Sequence, residues 1–192
     1  MALCDLADPT IALPSQLVLD TSFLLALRPG DDNPDAAAAQ AFARRLRPAI
    51  AALELVAWIA LPVLQECYHV ILTGRLRRTW ETLNPTTRPA NWLALYKRQP
   101  DILKQGLPDL GRFDALLATI PVTLAYQQNY VAGSKISAPD ERLRYFITRY
   151  HLLPQDALIC AETERLGVTA VATLDSDWRR VTEFDIYTTP RC

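Results

Sequence analysis

The chain has 192 residues, of which 50% are hydrophobic and 21% charged. That length bounds it to one domain with room for an insertion, and the composition excludes an intrinsically disordered chain. Twenty basic residues against 21 acidic ones give a net charge of -1 and a pI of about 6.1, which excludes binding nucleic acid by bulk positive charge. A nucleic-acid partner must be held by a local patch or through a metal ion.

The four cysteines, Cys4, Cys67, Cys160 and Cys192, form no CxxC pair. That excludes a zinc ribbon or a thioredoxin motif, and His69 and His151 alone do not make a histidine zinc site. Nothing reads as a disulfide framework, so the expected compartment is reducing and cytoplasmic. The opening MALCDLADPT carries acids where a signal peptide needs positive charge. The longest apolar stretch, Ala49 to Leu64, contains Glu54 and Pro62 and falls short of the ~20 residues of a membrane helix. No membrane association is expected.

In chain order, Leu17-Val18-Leu19 predicts a short strand ending at Asp20. A loop over Arg28 to Asp32 follows, and Asp35 then caps a helix over Ala36 to Arg47. Pro48 should punctuate it before a second helical pattern over Ala49 to Val56. Trp58 to Ala60 predicts a buried strand. From Val63 a long helix reads well, with Gly74 marking a bend. Pro85, Pro89, Pro100, Gly106 and Pro108 break the following segment into short helices, and an inserted region is expected there. Ile120 to Leu124 predicts a strand, Gly133 to Pro139 a loop, and Asp140 to Tyr150 a helix. Pro154 suits the first turn of another helix and Gly167 its C-terminal cap. Val168 to Leu174 then reads as a buried strand ending at Asp175, and Asp185 to Thr189 as a last strand. Strands alternating with helices predict an α/β domain with a mainly parallel sheet.

The acids fall at chemically meaningful places in this pattern. Asp20 and Asp175 each follow an apolar strand, Asp177 stands two residues on, and Asp156 lies in the first turn of a helix. In an open parallel sheet, strand ends and the first turns of following helices meet at one edge, where ligands bind. Converging carboxylates repel by about 4 kcal/mol at ~4 Å and an effective dielectric of ~20, so a cation is expected to neutralise them. Hard oxygen ligands suit Mg²⁺ or Mn²⁺, and such a site suits metal-assisted phosphodiester hydrolysis. Singly, each of these residues also reads as a turn or helix cap. Asp140 and Asp185 lack the strand-end context.

Four segments in order resemble the PIN-domain family. They are Leu17-Val18-Leu19-Asp20-Thr21-Ser22, Pro62-Val63-Leu64-Gln65-Glu66, Leu153-Pro154-Gln155-Asp156-Ala157-Leu158-Ile159 and Thr173-Leu174-Asp175-Ser176-Asp177-Trp178. The resemblance implies a three-layer α/β/α sandwich around a mainly parallel sheet. It implies a single PIN-like domain over residues 1–192, from which the helical insertion expected around 84–118 departs. It also implies a Mg²⁺- or Mn²⁺-dependent endoribonuclease with Asp20, Glu66, Asp156 and Asp175 as its catalytic acids. Asp20, Asp156, Asp175 and Asp177 would ligate metal, and Glu54 is the alternative to Glu66 in a shifted register. Thr21, Ser22 and Thr173 match hydroxyl positions beside such a pocket, and also read as caps of a strand-to-helix turn. Trp178 stands where the family usually has Phe. Many relatives of this kind are VapC-like toxins, held by a small antitoxin partner and often homodimeric.

RNA is the expected substrate, and the basic residues are mostly Arg, which suits phosphate contacts. Candidate patches are Arg44-Arg45-Arg47, Arg75-Arg77-Arg78, Arg142-Arg144 and Arg179-Arg180, the last nearest the acids in sequence. Each also reads as a solvated helix face. Trp80, Trp92 and Tyr96 either stack bases or pack internally. The alternative function is a catalytically inactive PIN-like module that binds RNA or protein. A haloacid-dehalogenase-like phosphatase needs a second Asp two residues after the first, where this chain has Ser22. A nucleotide-binding loop needs glycines that do not follow Asp20.

Overall fold

The computed structural model describes residues 2–30, 32–86, 91–125 and 139–190; residues 133–138 of the predicted loop, and Cys192, lie outside this range. The chain divides into two compact units, one of residues 1–64 and 120–192 and one of residues 65–119. The second unit therefore starts well before the 84–118 insertion read from sequence.

The first unit is built on a six-stranded sheet, all parallel. Its strands are β1 (Leu3–Asp5), β2 (Gln16–Leu19), β3 (Val56–Ile59), β4 (Thr123–Leu124), β5 (Ala170–Ala172) and β6 (Asp185–Thr188), in spatial order β1-β6-β5-β2-β3-β4. Successive side chains of a strand point to opposite faces, yet Leu17, Val18 and Leu19 are all fully buried. Both faces are thus covered by helices, the usual condition of a parallel sheet, and the unit is a three-layer α/β/α sandwich.

Helices α1 (Thr21–Ala26) and α2 (Ala36–Ala51) pack together, and so do α6 (Pro139–Tyr150) and α7 (Pro154–Arg165). Phe42 on α2 meets Phe23 on α1 edge-on at 6.1 Å and Tyr187 of β6 at 5.7 Å. Phe146 on α6 stacks on Phe184 at 6.1 Å, beside the fully buried Trp178. Each such ring contributes about 1.5–3 kcal/mol through burial alone. Gly167 takes φ of 70° two residues after α7, a left-handed position that glycine occupies without a Cβ clash.

Several boundaries differ from the sequence reading. One helix, α2, runs through Pro48 where two were predicted. Pro48 lies in its last turns, and the buried face of Ala39, Phe42, Ala43, Leu46 and Ile50 keeps its period across it, so packing outweighs one lost N–H bond. The helix ends instead at Ala51, two residues before Leu53, which takes φ of 59°. The long helix α3 (Leu61–Leu83) passes Gly74 without ending. Only two residues of the predicted 120–124 strand pair, because Pro121 has no N–H to donate. β1 is too short and too polar to show a period, and it pairs only with β6 at the sheet edge.

The second unit holds the rest of α3, α4 (Trp92–Arg98), a 3₁₀ turn over Pro100–Gly106 and α5 (Leu107–Leu117). Its core is Leu76, Leu95 and Ile102, with Trp80, Trp92 and Tyr96 packed against it. Those aromatics are structural here rather than presented as a stacking platform. A Cβ at Gly106 would come within 2.7 Å of Leu72 Cδ2, so glycine permits the 3₁₀ turn to close on α3.

Candidate functional site

From β2 the chain proceeds to β3 and β4 on one side, then returns to lay β5 on the other side of β2 and β6 outside it. The β2/β5 junction is therefore the point where strand order reverses, and a crevice forms outside the carboxyl ends of such strands. The register pairs Val18 with Val171 and Leu19 with Ala172. The next residues on each strand are Asp20 and Thr173. The Asp20 N–H donates to the Ala172 carbonyl at 3.0 Å, and the Thr173 N–H to the Tyr187 carbonyl at 2.9 Å.

Asp20 is only 3% exposed and caps α1. Its Oδ2 accepts from Ser22 Oγ at 2.7 Å, from Thr173 Oγ1 at 2.8 Å and from the Ser22 N–H at 3.4 Å. Thr173 Oγ1 in turn accepts the Asp175 N–H at 3.0 Å, and Ser22 Oγ accepts the Leu174 N–H at 2.9 Å. The two hydroxyls lie 3.1 Å apart. Each has one proton, and both protons are directed to Asp20, so this close pair is held by its surroundings rather than by a bond of its own. Ser22 and Thr173 thus act both as caps and as neighbours of the acid, which unites the two sequence readings. Thr21 is buried in the first turn of α1.

Asp175 and Asp177 are half-buried on the turn that follows β5. Asp175 Oδ1 accepts the Asp177 N–H at 2.8 Å and caps the short 3₁₀ helix Ser176–Arg180. Asp177 Oδ1 is paired with Arg180 Nη2 at 2.9 Å. Asp177 Oδ1 must therefore exchange an arginine partner to serve as a ligand atom. Asp156 is half-buried in the first turn of α7. Glu66 is half-buried on α3 and belongs to the second unit; Glu54 is exposed.

Cys160 is a member of this neighbourhood that the sequence reading treated only as a thiol outside any motif. Burial pushes its thiol far up, and the negative charges of Asp20 and Asp156 push further in the same direction. Both acids thus act on one fully buried sulfur from different elements. The sequence signal was available: Cys160 is four residues after Asp156, one turn along the same helix face.

The expected arginine contacts divide by role. Arg179 donates to the Thr189 carbonyl at 2.7 Å and braces the chain after β6. Arg45 reaches the Asp8 and Ile11 carbonyls, and Arg142 grips Glu164 through two bonds of 2.6 and 2.7 Å. Arg44, Arg47, Arg77, Arg78, Arg144 and Arg180 are exposed, whereas Arg75 is half-buried.

The donor set at the β2/β5 edge consists of hard oxygens, which select Mg²⁺ or Mn²⁺ over softer ions. Among the described residues, no three His, Cys, Asp or Glu side chains stand together as a ready metal cage. No family model and no curated protein matches the chain.

Proposed function

We propose that this chain is a Mg²⁺- or Mn²⁺-dependent ribonuclease of PIN-like kind that hydrolyses RNA phosphodiester bonds at the β2/β5 edge. The observation that carries this reading is the register that sets Asp20 beside Thr173, with Asp175 and Asp177 on the next turn, at the reversal point of an all-parallel sheet. Asp20, Asp175 and Asp156 are the proposed metal-holding residues, with Asp177 joining when Arg180 leaves it.

A bound ion supplies a water acidic enough to attack near neutral pH and offsets charge on the phosphate. The chain's own residues do the rest. Ser22 and Thr173 hold the Asp20 carboxylate fixed in one rotamer by donating to the same oxygen. The Asp177 N–H holds Asp175 in the same way. Carboxylates already fixed in position would need no rearrangement to hold the cation that offsets that charge. Asp156 is proposed to complete the acidic set of the first unit. In this reading a small antitoxin is the regulatory partner and a homodimer the assembly.

Two measurements test the proposal together. Mn²⁺ should raise the melting temperature by mass action, and RNA cleavage should appear with Mn²⁺ and vanish with EDTA. A melting temperature unchanged across a wide Mn²⁺ titration, with no cleavage of any RNA, would sink it.

A further inference from the structure

Arg149, Tyr150, His151, Arg180 and Thr182 line an open cavity of about 370 Å³ in the first unit. Each presents a hydrogen-bonding group. The cavity lies where α6 ends, and a helix C-terminus offers carbonyls rather than N–H groups. Recognition of an anion there must come from side chains, and the side chains present are two guanidinium groups, an imidazole and two hydroxyls.

Both arginines are partly engaged, Arg180 through Nε to the Asp177 carbonyl at 3.3 Å and through Nη2 to its carboxylate. The Arg149 Nε donates to Tyr150 Oη at 2.9 Å, which aims the planar group, and stands 4.0 Å from Glu183. Among the described residues, neither Nη of Arg149 is engaged in a hydrogen bond or ion pair. The Glu183 carboxylate also accepts the Tyr145 hydroxyl at 2.6 Å, and its ion pair with Arg149 engages the Nε edge of the guanidinium. Arg180 is paired with Asp177, but both side chains are more than 40% exposed, so the pair is weak and readily exchanged.

The hydroxyls are oriented as well. Tyr150 Oη lies 2.6 Å from Thr182 Oγ1 while accepting from Arg149. With Tyr150 donating to Thr182, the Thr182 proton has only Glu183 at 3.4 Å as its acceptor and can turn to an incoming oxygen. His151 takes φ of 53° directly after α6, at a position where glycine is the unstrained choice. A histidine there stores about 1 kcal/mol that a purely structural turn avoids.

We propose that this cavity is a phosphate-binding subsite, in which the guanidinium groups of Arg149 and Arg180, with His151 and Thr182, hold a phosphate group of a single RNA strand. Guanidinium forks match phosphate oxygens in pairs. Arg180 shares the five-residue turn Ser176–Arg180 with Asp177, so phosphate capture at this cavity competes with the Asp177 pairing and releases an acid toward the β2/β5 edge. The assignment of RNA as the polymer rests on the nuclease reading; the phosphate chemistry of the cavity does not.

The test is binding by the full chain in EDTA, where no cleavage is required. The probes are inorganic phosphate and a short single-stranded RNA without terminal phosphates, and the proteins are the natural chain, Arg149→Gln, Arg180→Gln and the exposed control Lys97→Gln. Either arginine variant should weaken binding about tenfold, and with RNA should lower the slope of log affinity against log salt by about one, while Lys97→Gln changes neither. An effect on RNA alone assigns the cavity to the phosphodiester backbone, and an effect on inorganic phosphate alone assigns it to free phosphate. Equal affinities for the natural chain and both arginine variants, or no binding of either probe, would overturn the proposal. Loss of cleavage in Asp175→Asn with RNA binding retained keeps this outcome separate from the nuclease reading.

Discussion

Thr173 is the most informative single position in the first unit. Replacing it with Val keeps the shape and removes one hydroxyl from a site that is fully buried. Two bonds disappear: the donation to Asp20 Oδ2 at 2.8 Å and the acceptance of the Asp175 N–H at 3.0 Å. A hydrogen bond to a charged group contributes about 1.5–3 kcal/mol, and an orphaned buried N–H costs about 1–3 kcal/mol. Thr173→Val should therefore destabilise the fold by about 4 kcal/mol. For a chain of this size that is roughly 10 °C in melting temperature. Thr173→Ser keeps the oxygen and loses only a methyl group, about 1 kcal/mol. Calorimetry measures both, and amide hydrogen exchange locates the damage, since the Asp175 amide should lose protection in the Val variant and keep it in the Ser variant. A Val variant as stable as the Ser variant, or an Asp175 amide indifferent to the change, would refute the hydroxyl bridge.

Three further predictions concern other parts of the first unit. Arg142→Lys should cost about 1–2 kcal/mol in denaturant unfolding, because lysine cannot keep the two-armed grip on Glu164 or the guanidinium placed 4.0 Å over the Tyr145 ring. At Glu183, burial raises the carboxyl, but donation from the Tyr145 hydroxyl, helped by the Arg149 charge, prevails and holds it below its ordinary 4.5, while Tyr145 is pushed up to about 12 by the same bond. The stability from this pair should be complete between pH 4.5 and 10, fade as pH falls through the lowered Glu183 value, and fade again as pH rises toward 12. The stability difference between the natural chain and Tyr145→Phe, followed against pH, checks both limits. Leu53→Gly should stabilise by about 0.5–1 kcal/mol in the same unfolding assay, since Leu53 is 90% exposed and holds φ of 59° with no packing to lose.

The strands that carry the site were legible because they are short apolar runs that stop on acids. Leu17 to Leu19 lies within β2 and Val168 to Leu174 contains β5, and neighbouring parallel strands bring their ends to one edge without further information. The hydroxyl bridge was less legible. Ser22 and Thr173 are separated by 151 residues, and only the Leu19–Ala172 register shows that they share one acceptor. The end of α2 was misread because proline was weighed above the buried stripe from Ala39 to Ile50, and in the structure packing decides. The extent of the second unit was hidden because α3 runs unbroken from one unit into the other, so no proline or glycine marks the boundary at residue 65. The cavity beside α6 left no pattern at all, since Arg149 and Arg180 meet only through the packing of Tyr150 against Thr182.

The most direct test of the central claim is single-turnover RNA cleavage in Mn²⁺ by the natural chain, Asp20→Asn, Asp175→Asn and Lys97→Gln, with the melting temperature of each recorded. The account predicts cleavage by the natural chain and Lys97→Gln only, abolished by EDTA, with both Asn variants folded. Cleavage that persists in EDTA, or near-natural rates in a folded Asp20→Asn or Asp175→Asn protein, would contradict it.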